Sequence, residues 1–358
     1  MASASSTLLI GTYTESLAHV DGKADGIHGA YHEDGRLSQP KVLTGMRNPS
    51  WVTSSADGRF VYAVAETVDF EGQPGGGIAA FSRDPGTGEL NPVNTASSRG
   101  VEPGHLMVDP SGRFLLAINY RSGSVVVFGL RDDGGLADIV EQVHHEGSSA
   151  HPVRQTSPHP HQIVFDPVTG KVIVPDLGMD ALFFYDLDES GQLTEDRSAR
   201  FECAPGAGPR HVAFHPDNQY LFVLNELDNT LLVLKREDGR FVQNDVASTL
   251  PADFKEHSQA AAVRVSPSGQ HVFASNRGHD SIAVFEFDEA TGKVTLKHLE
   301  PSRGSEPRDF VVTPDGSYLL VANQNSDNIV TFAIDDSVST FSHVDTFEVP
   351  TPVCLLFV

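Results

Sequence analysis

The sequence predicts an all-β fold: a seven-bladed β-propeller with four-stranded blades, its ring closed by N- and C-terminal strands sharing one blade. Three observations carry this. Amphipathic helical periodicity is scarce, whereas short alternating runs recur, as in Phe60-Val-Tyr-Ala-Val, Ser124-Val-Val-Val-Phe and Ser281-Ile-Ala-Val-Phe, bounded by Asp, Asn, Gly and Ser. Such runs read as strands joined by turns. A proline followed seven residues later by a second proline repeats along the chain. The last repeat start has room for only one strand, and the N-terminus supplies what it lacks.

The repeat sets the blades in order. Pro103 pairs with Pro110, Pro160 with Pro167, Pro209 with Pro216, and Pro307 with Pro314; the same frame holds Pro49 with Ala56 and Ala260 with Pro267. Successive first anchors lie 54, 57, 49, 51 and 47 residues apart. Units of that length holding about four strands are propeller blades. Blades 1 to 6 therefore start at 49, 103, 160, 209, 260 and 307. Pro352 lies 45 residues beyond Pro307 and begins blade 7. Segments at Thr7–Tyr13, Ile27–Tyr31 and Lys41–Leu43 complete it, which removes the exposed edges of an open ring. A single domain over residues 1–358 is expected.

Composition narrows the function. The chain has 358 residues, of which 39% are hydrophobic and 20% charged, enough apolar content for a packed core. Its formal net charge is -23. That average field disfavours nucleic-acid and anionic-membrane partners. A small anionic substrate stays open, because clustered arginines reverse the sign inside one cleft. Cys203 and Cys354 are the only cysteines, so there is no disulfide framework. The N-terminus has no basic region, and its apolar run, Leu8–Ile10, is short for a signal peptide. A cytoplasmic protein is expected.

Blade-equivalent positions form rings at the mouth of the channel. The residue after each first anchor is Ser50, Gly104, His161, Arg210, Ala261, Arg308 and Val353. Seventeen residues after the anchor come Glu66, Tyr120, Leu177, Glu226, Arg277 and Gln324. The polar members concentrate in consecutive blades: His161, Arg210, Glu226, Arg277 and Arg308. Guanidiniums bind carboxylate or phosphate bidentately. A carboxylate and an imidazole can share acid–base work. An Arg–Glu network that merely fills the channel is the bland alternative. The amides beside the second ring, Asn119, Asp176, Asn225, Asn276 and Asn323, are expected to hold the turn that follows. His159 sits two residues before His161, on the same face of an extended segment, and joins the candidates for substrate binding. With His144, His145 and His151 nearby a metal is conceivable, but no ligand spacing supports one, and these three are expected as solvent-facing loop residues. His105 and His211 are expected to pack inside the blades. Cys354 reads as core, and Gly75–Gly77 as a loop without phosphate-binding features.

Several segments resemble the lactonase family of seven-bladed propellers: Ser157-Pro-His-Pro-His-Gln-Ile-Val-Phe-Asp-Pro, Gly206-Ala-Gly-Pro-Arg-His with Asn225-Glu-Leu, Ala274-Ser-Asn-Arg-Gly-His-Asp-Ser and Glu306-Pro-Arg-Asp-Phe. The opening Ile10-Gly-Thr-Tyr-Thr is similar too. That family includes propeller-type 6-phosphogluconolactonases and carboxy-cis,cis-muconate lactonising enzymes. The resemblance implies site residues at His161, Arg210, Glu226 and Arg277, with neither metal nor other cofactor; Arg308 comes from the ring alignment. It implies a lactone hydrolase, with 6-phosphoglucono-1,5-lactone as the leading substrate. Cycloisomerisation of a carboxylated muconate is the alternative, followed by another lactone or a non-enzymatic scaffold. Whether His161 or Glu226 is the base stays open. The His-rich stretch 140–156 departs from the family pattern and is expected as a loop over the mouth.

Overall fold

The computed structural model describes residues 6–335 and 340–358. Seven antiparallel sheets of four-stranded plan follow one another around a ring, the outer strand being split in two in blades 3 and 7, with no helix among the described residues. Blade 4 shows the plan: Pro209–Phe214, Tyr220–Asn225, Thr230–Glu237 and Arg240–Ser248 pair in sequence from the channel outward. Blade 7 closes the ring as the orphan repeat predicts. Pro352–Phe357 pairs with Ser6–Thr12, placing Leu8 opposite Phe357 and Ile10 opposite Leu355. Ser6–Thr12 then pairs with Gly26–Glu33, and Gly26–Glu33 with Lys41–Gly45.

The hydrophobic core is divided among the blade interfaces. Seven clusters of buried side chains lie one between each neighbouring pair of blades. Between blades 4 and 5, Phe222 and Leu224 meet Val263, Val272 and Phe285, all fully buried. Each such side chain contributes about 1.5–3 kcal/mol. Cys354 is buried with Leu9 and Val52 between blades 7 and 1, as core. Gly76 is required where blade 1 meets blade 2, because a Cβ there would lie 2.1 Å from Cδ of Pro103.

Blade 3 departs from the regular plan. Its inner strand is only Val164–Phe165, and Pro160 makes an isolated bridge to Asp176. Pro158 and Pro160 lack the N–H groups that a full ladder needs, so the segment carrying His159 and His161 pairs only in part: the His161 N–H donates to the Pro175 carbonyl, and the His159 carbonyl accepts from the Leu177 N–H.

A β-bulge positions the first ring. In blades 2, 4 and 6 the register slips just after the anchor: Pro209 faces Asn225, but His211 faces Leu224. Gly104, Arg210 and Arg308 are the extra residues. A bulge re-aims its side chain away from the regular alternation. The second ring is fixed by backbone bonds. Its members Glu66, Tyr120, Leu177, Glu226 and Gln324 donate their N–H to the carbonyl of the residue preceding the anchor.

The amide position does more than hold a turn. Asp176 does so, accepting from the N–H groups of Gly178 and Met179. Asn119, Asn276 and Asn323 instead donate to Ser98, Thr249 and Ser302, tying down the linker that enters each blade. A four-residue turn follows each of these amides, which face the linker's carbonyls, groups that need donors once buried.

Candidate active site

Ring residues from six blades and one inter-blade loop surround a cavity of about 360 Å³ at one channel mouth. His161, Glu226, Arg277 and Arg308 line it, joined by Tyr120 and Arg154. Glu66, Glu102 and Gln259 complete the wall, and His19 reaches it from the hairpin of Ser16–Leu17 and Val20–Asp21.

Glu226 is the electrostatic centre. It is 2% exposed and pairs with three guanidiniums. Its Oε2 lies 3.0 Å from Nε of Arg210 and 2.8 Å from Nη2 of Arg277, and its Oε1 lies 2.6 Å from Nη2 of Arg154. Burial alone would raise the carboxyl pKa, but Arg277, Arg154 and Arg210 outweigh it and hold Glu226 well below the usual carboxylate range. Arg210 does not line the cavity. It lies beneath Glu226, 2% exposed, donating to the Ala261 carbonyl. Burial and the Arg277 charge pull its pKa down to about 9, which leaves it charged at neutral pH.

His161 is the neutral partner. Burial, then the Arg210 charge, holds its pKa well below the ordinary imidazole value. Its Nδ1 has no hydrogen-bond partner among the described residues. The ring is oriented by packing, edge-on to Tyr120 at 5.3 Å and to His211 at 5.4 Å between centroids. His211 and His105 are buried, but not inside their blades as expected: His211 of blade 4 meets Trp51 of blade 1 at 5.6 Å and His105 of blade 2 at 6.4 Å between centroids, contacts between non-adjacent blades that only the central channel allows, and His105 lies tilted against Trp51 at 4.3 Å.

His159 is not among the cavity-lining residues. Its ring stacks on Tyr120 at 4.7 Å, and its Nδ1–H donates to the Tyr120 carbonyl, so it backs the wall. The expectation of solvent-facing loop histidines fails for His145, which is 7% exposed between Asp176 and Tyr185, at 2.6 and 2.7 Å. An aromatic face on Phe183 and two hydrogen bonds offset its burial. His151 Nδ1 accepts the Arg154 N–H at 3.1 Å, capping a turn. Among the described residues, no group of three or more His, Cys, Asp or Glu is placed to hold a metal.

The 140–156 stretch contributes the cation that the ring alignment misses. Arg154 reaches Glu226 and also donates to the Tyr120 hydroxyl at 3.1 Å. Its loop is tightly held. Gln155, fully buried, donates to the Leu177 carbonyl and to Asp180, and Ser149 donates to Asp180 at 2.6 Å. Asp180 also accepts from the N–H groups of Gly206 and Gly208, which ties this loop to the start of blade 4.

Tyr13 is the second-ring residue of blade 7. The register shows it, because Thr12 faces Pro352 as Asn119 faces Pro103. Its N–H donates to the carbonyl of Thr351, just before the anchor. Its hydroxyl donates to Glu66 Oε1 at 2.8 Å and accepts from Arg308 Nη2 at 3.1 Å. Ser50 Oγ satisfies Glu66 Oε2.

Comparisons with known proteins agree with this architecture. Residues 7–357 match the family model described as Lactonase, 7-bladed beta-propeller. A 6-phosphogluconolactonase from Bacillus subtilis is 39% identical over 306 residues, covering 84% of this chain and 83% of that protein. A putative 6-phosphogluconolactonase from Bacteroides fragilis superposes with a TM-score of 0.91 at 30% identity, over 99% of this chain and 98% of its own. A periplasmic gluconolactonase from Pseudomonas aeruginosa gives 0.91 at 32% identity over 99% of both. The chain belongs to the seven-bladed β-propeller lactonase family, and it is a lactone hydrolase.

Proposed function

We propose that the chain hydrolyses a phosphorylated sugar lactone, 6-phosphoglucono-1,5-lactone, to 6-phosphogluconate. One observation carries the reading: four arginines converge on a mouth that holds a neutral, buried histidine. Arg154, Arg277 and Arg308 on the wall balance Glu66, Glu102 and Glu226, and Arg210, buried beneath them, tips the local charge positive inside an acidic protein. Such a cleft concentrates a small anion.

The chemistry divides by charge state. Both oxygens of Glu226 are engaged by guanidiniums, so it serves by fixing the guanidinium array. His161, neutral at pH 7, takes the proton from water as it attacks the lactone carbonyl. The carbonyl oxygen becomes an oxyanion, which Arg277 at the cavity wall stabilises. The ring oxygen then leaves, accepting the proton from the histidine. Arg210 acts from below, holding Glu226 and lowering the His161 pKa. His159 supports the wall through Tyr120. Neither a metal nor a cofactor enters a step. A cytoplasmic setting suits a phosphorylated substrate and two free cysteines.

Cycloisomerisation of a carboxylated muconate fits less well. A substrate with several carboxylates would meet Glu66 and Glu102 on the same wall. Of the two, Glu102 suits the hydroxyls of a sugar. The test is acid release in a pH-stat, corrected for spontaneous opening, on phosphorylated and unphosphorylated gluconolactone beside a muconate panel. Catalysed opening of the phosphorylated lactone is expected. Turnover of the muconate alone would overturn the reading.

A further inference from the structure

The arginines at the mouth are not equivalent. Arg154 and Arg277 line the cavity, but both are paired to Glu226, at 2.6 and 2.8 Å. Arg210 lies below it, 2% exposed. Arg308 lines the same cavity from blade 6, and among the described residues no carboxylate lies within ion-pair distance of it. Its one hydrogen bond goes to the Tyr13 hydroxyl, whose ring it also overlies at 5.5 Å.

The arrangement behind Arg308 has direction. Ser50 and Tyr13 each donate to one oxygen of Glu66, so that carboxylate is satisfied. Having given its proton to Glu66, the Tyr13 hydroxyl can only accept from Arg308. The negative charge is thus set one residue behind the guanidinium. Direct pairing would occupy the planar fork that binds an oxyanion bidentately, and this chain of bonds orients the fork without occupying it. Tyr13 is fully buried and Glu66 is 9% exposed, so the chain is shielded from water. His161 comes from blade 3 and Arg308 from blade 6, on different sides of the seven-bladed mouth.

We infer that Arg308, oriented by Tyr13 and Glu66, is the subsite for the substrate's phosphate monoester, separate from the reacting carbonyl, and that Tyr13 is a positioning residue setting the preference for phosphorylated over unphosphorylated lactones. The inference rests on the lactone-hydrolase reading above. It goes further by assigning one of four arginines to the phosphate and by giving a function to a blade-7 tyrosine remote from Glu226.

The experiment compares wild type with Arg308→Gln, Arg308→Lys, Tyr13→Phe and Glu66→Gln. Two quantities are read: kcat and KM on phosphorylated and unphosphorylated gluconolactone, and calorimetric affinity for 6-phosphogluconate and gluconate. Thermal melts establish that each variant folds. Losing a charge-assisted bidentate contact should reduce the phosphorylated-to-unphosphorylated ratio of kcat/KM about 10- to 100-fold in Arg308→Gln, through KM. Arg308→Lys should recover part of it. Tyr13→Phe, which removes the acceptor and keeps the ring, should reduce the ratio about 3- to 10-fold. A structural role alone would depress both substrates equally. An unchanged ratio in Arg308→Gln and Tyr13→Phe would overturn the inference while leaving the hydrolase intact. So would a wild type that binds 6-phosphogluconate no tighter than gluconate. If neither lactone is hydrolysed but the binding preference still depends on Arg308, the reaction is wrong and the subsite stands. Should Arg308→Gln fail to fold, Tyr13→Phe and Arg308→Lys decide by the same ratio.

Discussion

Around Glu226 and around Glu66, the same chemical groups reach opposite outcomes. Glu226 meets three guanidiniums directly, and both of its oxygens are taken by them. Glu66 meets two hydroxyls, and the nearby guanidinium is held through one of them. The first arrangement is a scaffold: it fixes charges and sets the potential felt by His161. The second leaves a cation available. The number of charges at a mouth therefore says less about binding than which of them already have partners.

The comparison can be broken in graded steps. The largest expected effect is on His161, the proposed proton-transfer group. His161→Ala should lower kcat about 10²- to 10⁴-fold with the fold intact, read by stopped-assay acid release. If it retains wild-type turnover, the base lies elsewhere and the Glu226 region loses its catalytic meaning.

Next is the asymmetry between the carboxylates. Glu226→Gln leaves Arg210 buried against other guanidiniums and should cost about 3–5 kcal/mol of stability. Glu66→Gln keeps an acceptor for Tyr13 and should cost about 1 kcal/mol. Denaturant titration of both variants checks the order. Equal losses would erase the distinction between a committed and an uncommitted cluster.

The pH dependence sharpens the same contrast. His161 and Glu226 both have folded pKa values below their ordinary ones. The unfolded chain therefore binds more protons as pH falls below about 6.5 for the histidine, and below about 4.5 for the glutamate. Their stabilisation is full above those values and is lost on acidification. The acid limb of kcat/KM should likewise lie below pH 6.5, because His161 stays unprotonated there. A limb at or above 6.5 would mean that neither burial nor the Arg210 charge holds His161 neutral, or that another group is the base.

The smallest expected effect is none: EDTA should leave the initial rate unchanged. Loss on chelation, restored by a divalent ion, would point to a ligand set the described residues do not display.

Much of this was legible along the chain because a propeller repeats in sequence what it repeats in space. The anchor prolines gave the blade frame, the orphan start at Pro352 gave the closure, and in blades 2, 4 and 6 the residue after the anchor proved to be the bulge. His161, Glu226, Arg277 and Arg308 followed from that frame and line one cavity. Arg154 did not, since it lies between blades, where no equivalent position exists to compare. Tyr13 did not, since blade 7 is assembled from both chain ends and its second ring position is counted from an anchor more than three hundred residues away.

The sequence by itself determined the fold, the closure and the identity of the ring, because strand alternation, turn chemistry and repeat spacing are local and recur. Tertiary structure alone decided which arginine is free, which acid is saturated and which histidine is neutral. Those properties depend on charges brought together from distant blades and on the water excluded from between them, and neither distance nor desolvation is written in the order of residues.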